Sequence, residues 1–131
     1  MVLGINKKEA NTHKMKKEIE NRLIKLAIGI NSVCKTLDKS YLSYHLTAQI
    51  LRSSTSAALN YGEAQAAESR KDFIHKTSIV LKELKETNIN LKLLKATAQK
   101  QVKQSIISCE NECDQLVAIF HKTVATAKQK I

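Results

Sequence analysis

The chain has 131 residues, which points to a single domain, and at 43% hydrophobic residues it has enough apolar material for a packed core rather than disorder. No Pro, three Gly and 4% aromatics leave too little turn chemistry and aromatic bulk for a β-sandwich. Lys plus Arg number 22 against 12 Asp plus Glu, and the net charge of +10 favours polyanionic partners, although a basic surface alone does not name one.

The segment 1–15 shows no sustained periodicity and reads as a flexible N-terminal tail. Its start, Met1 to Lys8, carries too short an apolar run for a secretory signal. No stretch approaches the ~18 apolar residues of a membrane span. A cytoplasmic protein with no membrane partner is expected.

The remainder, 16–131, reads as one bundle domain. A first helix is predicted over Lys16 to Leu37. Ile19, Leu23, Leu26, Ile30, Val33 and Leu37 alternate steps of four and three, the seam of a packed helix. Ala27, Ile28 and Cys34 widen that stripe. Asp38, Lys39 and Ser40 form a turn. A second helix is predicted over 42–67, with Leu46, Ile50, Ser53, Ala57, Asn60 or Tyr61, and Ala64 on its seam. Its small middle, Ser53 to Ala58, lets a neighbouring backbone approach closely. Ser and Thr are mediocre helix formers, so packing must hold this segment.

A third helix is predicted over 69–97, opened by Ser69 and Asp72 in the manner of a capping box. Its seam is Phe73, Thr77, Val80, Leu84, Thr87, Leu91 and Leu94. Continued further, that seam meets Ala98, Gln101, Ser105 and Ser108, which are poor core residues. A new phase starts at Ile106 and runs through Cys109, Cys113, Leu116, Phe120, Val124 (or Thr123) and Ala127. A turn across Ala98–Gln104 and a fourth helix over 104–128 resolve the conflict, with one bent helix as the alternative. Short links make neighbouring helices antiparallel. The fold class is all-α: a left-handed, up-down-up-down four-helix bundle.

Chemistry-bearing motifs are sparse. Cys109 and Cys113 have a spacing that metals use, but both lie on the apolar seam and no His or carboxylate joins them. Cys34 makes three cysteines, an odd number for a disulfide framework. His13, His45, His75 and His121 are scattered, with no Glu-x-x-His pattern. There is no P-loop, dinucleotide fingerprint or nucleophile elbow. No catalytic residue, cofactor or metal site is expected, and the protein is not read as an enzyme.

Two surface stripes carry more information. On the third helix Lys71, His75, Ser78, Lys82, Lys85 and Lys92 gather opposite the core seam, with Arg70 and Lys95 near its ends. This is a candidate track for the phosphates of RNA or DNA. The plain alternative is a solvated outer face, and Glu83 and Glu86 on the flank dilute the positive potential. Without interleaved aromatics, recognition there would be of backbone and shape. On the second helix Gln49, Arg52, Ser56, Asn60 and Glu63 make a polar ridge beside the seam. It is either satisfied by a neighbouring helix or is a contact between subunits. Arg52 and Glu63 lie about three turns apart, roughly 16 Å, so they cannot pair within one helix.

The run Gln49 to Ala64, with Glu68 to Lys76 and Ile79 to Glu86 after it, resembles the "four helix bundle protein" family encoded in intervening sequences of bacterial 23S ribosomal RNA genes. Gln49, Arg52, Ser56, Asn60, Glu63, Ser69, Asp72 and Phe73 fit its pattern. Ala58 stands where many members carry Pro, and Ala64 where they carry Gly, which implies a less kinked second helix. The resemblance implies a homopentamer of four-helix protomers with no enzymatic activity attached. A distant relative, the accessory subunit of diversity-generating retroelements, is a basic pentameric barrel that engages a reverse transcriptase and nucleic acid. The expected partners are therefore further copies of this chain and RNA or another polyanion. The alternative is an adaptor whose basic face docks an acidic protein.

Overall fold

The computed structural model describes residues 6–130, and four helices account for nearly all of them: α1 Lys7–Thr36, α2 Tyr41–Gln65, α3 Arg70–Thr97 and α4 Lys100–Gln129. No strand occurs among the described residues. Residues 1–5 of the expected tail lie outside that range, but from Lys7 onward it is helix. α1 starts nine residues before Lys16 because Asn6 caps it. The Glu9 amide donates to Asn6 Oδ1 at 2.8 Å, and the Asn6 amide donates back to the Glu9 carboxylate at 3.4 Å. Residues 7–18 are all exposed, so this stretch is held by its cap and by helix propensity rather than by burial, which is why it has no apolar period.

Ser40 caps α2 by accepting from the Ser43 amide at 3.1 Å, and the Ser43 hydroxyl donates to Asp38 at the same distance. α2 runs unbroken past Ala58, as the absence of Pro implies. Ser69 caps α3, accepting from the Asp72 amide at 3.0 Å. The box is incomplete: the Asp72 carboxylate accepts from the Glu68 amide instead of closing on Ser69. The link to α4 is shorter than expected. Two extended residues, Ala98 and Gln99, replace the turn over Ala98–Gln104. Val102, 7% exposed, sits one turn before Ile106 on the new seam, so α4 gains a buried side chain by starting early. α3 and α4 are separate helices, not one bent helix.

The packing is cyclic. α1 touches α2 and α4, and α3 touches α2 and α4. Leu23, Leu26, Ile30 and Val33 of α1 meet Leu46, Ile50, Ala57 and Tyr61 of α2 in one core, which Val80, Leu84, Leu91 and Leu94 of α3 and Ile106, Cys113, Leu116 and Phe120 of α4 complete. The seams thus fall where the periodicity puts them, with a few exceptions. Ile19, Leu37, Cys109 and Phe73 are only half-buried, and Ile28 is 60% exposed. Tyr61 takes the inward position rather than Asn60, and Val124 rather than Thr123. Tyr61 meets Phe120 edge to face at 5.4 Å between centroids.

The small middle of α2 abuts α3. Ser53 and Thr87 are both fully buried, with their hydroxyls 2.7 Å apart. Thr87 donates to the Glu83 carbonyl at 2.8 Å, which leaves its oxygen to accept from Ser53. Both hydroxyls are satisfied, so their burial carries no unpaired polar group.

Candidate functional site

The polar ridge of α2 leans over α3. Arg52 spans the two helices: Nη1 donates to Glu83 Oε2 at 2.8 Å, and Nη2 donates to Glu86. Glu63 pairs with Lys76 of α3 at 3.3 Å. Asn60 donates within its own helix to the Ser56 carbonyl at 2.9 Å and to the Ser56 hydroxyl at 3.1 Å. Gln49 bonds the His45 ring at 3.1 Å. The five ridge residues stand together. Arg52 and Glu63 each find a partner one helix away in the same chain and need no second copy for it. The attraction of Glu83, and then its hydrogen bond, raises the affinity of the guanidinium for its proton.

The two acids read as diluting the basic stripe thus face Arg52. Glu83 is 6% exposed. The trio carries one net negative charge, which the adjacent Lys82 and Lys85 more than offset. Both lysines are exposed, and neither forms an ion pair among the described residues. With Gln49, Arg52, Ile89 and Leu93 they line a groove of about 750 Å³ between α2 and the outer face of α3. A smaller recess beside it is lined by Arg52, Thr55, Ser56, Leu59, Asn60 and Glu63. The middle of the α3 stripe and the α2 ridge are therefore neighbouring walls of one surface.

The other basic candidates are dispersed. Arg70 sits in a separate hollow with Lys16 and Phe73. Lys71 and His75 are exposed near it on α3. Lys92 is exposed and lies outside the groove lining. Lys95 is taken up by Glu110 of α4 at 2.7 Å. A further inter-helix clamp, which the sequence reading did not find, joins α1 to α4: Arg22 binds Glu112 through two nitrogens at 3.0 and 2.6 Å, and Gln115 at 3.1 Å. Opposite charges ninety residues apart leave no local signal.

The thiols are buried or half-buried. Burial pushes the Cys113 thiol up to about 12, with Asp114, Cys109 and Glu112 adding to it. Burial also raises Cys34 and Cys109. This is the behaviour of packing residues rather than of nucleophiles. Among the described residues no three His, Cys, Asp or Glu are grouped to hold a metal. No described helix is long and apolar enough to cross a membrane.

The chain is thus a small basic four-helix protein with a two-carboxylate arginine clamp beside an open groove. A family model described as "23S rRNA-intervening sequence protein" matches residues 15–122, and the chain belongs to that family. A crystal structure from Bacteroides thetaiotaomicron VPI-5482, described as a protein with unknown function from the S23 ribosomal protein family, is similar at 29% identity. The match covers 84% of this chain and 97% of that one, with a TM-score of 0.73. No curated protein matches the sequence.

Proposed function

We propose that this chain is a non-enzymatic, homo-oligomeric nucleic-acid-binding protein of the cytoplasm, with RNA preferred to DNA. The observation that carries the reading is the pair of unpaired, exposed lysines, Lys82 and Lys85, beside a groove on a chain of net charge +10. Each protomer is proposed as a left-handed up-down-up-down bundle. Contacts 52–83 and 63–76 between α2 and α3, and 88–114 and 95–110 between α3 and α4, run in opposite senses along adjacent helices, which supports the up-down part of that topology. The assembly contact is assigned to Ser56, Leu59, Asn60 and Glu63, where Leu59 stands 70% exposed. A pentamer is preferred, by family resemblance.

Two measurements test this. Binding of fluorescein-labelled RNA across a salt series should follow a steep log–log slope, and Lys82→Ala with Lys85→Ala should lower that slope by about one to two units. The affinity loss should be similar for unrelated sequences, since phosphate contacts carry little sequence information. An unchanged slope returns these lysines to a solvated face. Light scattering should give several chain masses, and a mass near 14.7 kDa at micromolar concentration contradicts the assembly. Ile89 and Leu93, 57% and 44% exposed in the same groove, favour the second reading, an acidic protein partner docked there.

A further inference from the structure

The chain has five aromatic residues. Tyr61 and Phe120 are core, Phe73 is half-buried, and the two at the surface, Tyr41 and Tyr44, both open α2. Tyr41 is 98% exposed and Tyr44 61%, so neither ring supports the bundle. Spacing sets Tyr41 on the ridge face: it precedes His45 by one turn, and His45 is bonded to Gln49, which lines the groove with Lys82, Lys85 and Leu93. The lysine track on α3 lacks aromatics of its own. α2 carries His45 one turn and Tyr41 two turns before Gln49, the residue at which its share of the groove lining begins. Lys35 and Lys39 at the α1–α2 corner are exposed there, and neither forms an ion pair among the described residues.

We propose that Tyr41 and His45 form a stacking platform for unpaired bases of single-stranded RNA whose phosphates lie on Lys82 and Lys85. Tyr41 and His45 are one turn apart, about 6 Å along the helix, so both are exposed on one face of α2 within reach of successive nucleotides. A base held this way is necessarily out of a duplex, because paired bases in an A-form helix offer their edges and not their faces. The ligand class becomes single-stranded RNA rather than duplex shape. Charge complementarity selects nucleic acid over a neutral apolar partner. This inference rests on the nucleic-acid reading above and sharpens it.

The test uses the full chain with a labelled oligo-uridylate of about 12 nucleotides and an RNA duplex of the same length. The single strand should bind more tightly than the duplex and should quench tyrosine emission. Tyr41→Ala with His45→Ala should weaken the single strand by about 5- to 150-fold per base lost and leave duplex binding within about twofold. Tyr41→Phe should keep the affinity, since the ring and not the hydroxyl does the stacking. The exposure of both positions keeps the variants folded, checked by an unchanged melting temperature and mass. Salt-dependent binding of both RNAs with no effect of Tyr41→Ala and His45→Ala overturns the platform and leaves the phosphate track standing. Absence of salt-dependent binding to either RNA overturns both. Tighter binding of poly-glutamate than of the oligo-uridylate at equal charge overturns the platform in favour of an acidic protein.

Discussion

Arg52→Ala should lower the melting temperature by about 4–12 °C, and Arg52→Lys should recover less than half of that loss. The cost falls on Glu83, whose side chain is 7% exposed and whose carboxylate accepts from Arg52 at 2.8 Å. Without the guanidinium it is a nearly buried charge with no cationic partner. Leaving such a group unsatisfied costs about 1–3 kcal/mol, in the lower part of the range for buried pairs because Arg52 itself is largely solvated. For a chain of this size each kcal/mol is worth roughly 4 °C. Lysine fails to rescue for a geometric reason. Glu83 and Glu86 are engaged by different nitrogens of one planar fork, and a single ammonium offers no such fork. Glu83→Gln in the Arg52→Ala background should regain stability, because it removes the orphaned charge. Equal melting of Arg52→Ala and the parent protein contradicts the clamp.

Stability should be flat to about pH 8.5 and fall steeply from pH 9 to 12. Cys113 and Tyr61 are both pushed up to about 12 by burial, against ordinary values of 9.0 and 10.0. In the unfolded chain these groups ionise near their ordinary values, whereas in the fold they keep their protons. The folded state therefore binds more protons in this window, and stability declines as pH rises. The slope is about 1.4 kcal/mol per pH unit for each group once its unfolded form has ionised. Cys34 and Cys109, also raised by burial, act in the same direction. Urea midpoints measured across the range show the effect. Cys113→Ala should make the curve shallower from pH 9 onward, where the unfolded thiol ionises first, and Tyr61→Phe should do so mainly above pH 10. Comparing variants with the parent cancels the loss of lysine charge, which all of them share. A midpoint constant from pH 9 to 11 contradicts the argument.

The helices and their inward faces were legible because each is a local property of one segment. Leu23 to Val33 declares its buried side through its own spacing, and so does Ile106 to Ala127. Even the break between α3 and α4, with no Gly or Pro to mark it, was readable as a change of phase. The start of α1 was missed for the converse reason: an exposed, capped helix has no apolar period, and its signal was the pair Asn6 and Glu9. The ridge on α2 and the lysines on α3 were also visible, each as a stripe on its own helix.

What the stripes face was not legible. Glu83 looked like a surface acid beside lysines, yet it is buried under Arg52; Glu110, buried and paired with the half-exposed Lys95, gave no signal in the sequence. Asn90 is another polar residue that only the assembled fold shows to be buried. His45 had no link to Lys82 and Lys85 until α2 was laid against α3, where its partner Gln49 lines the same groove. The amino-acid sequence by itself determined which side of each helix is apolar, because that follows from 3.6 residues per turn and side-chain type. The tertiary structure alone decided which charges meet and which surfaces join, because these depend on the register between helices, set by how Ser53 and Thr87 and the rest of the core interlock.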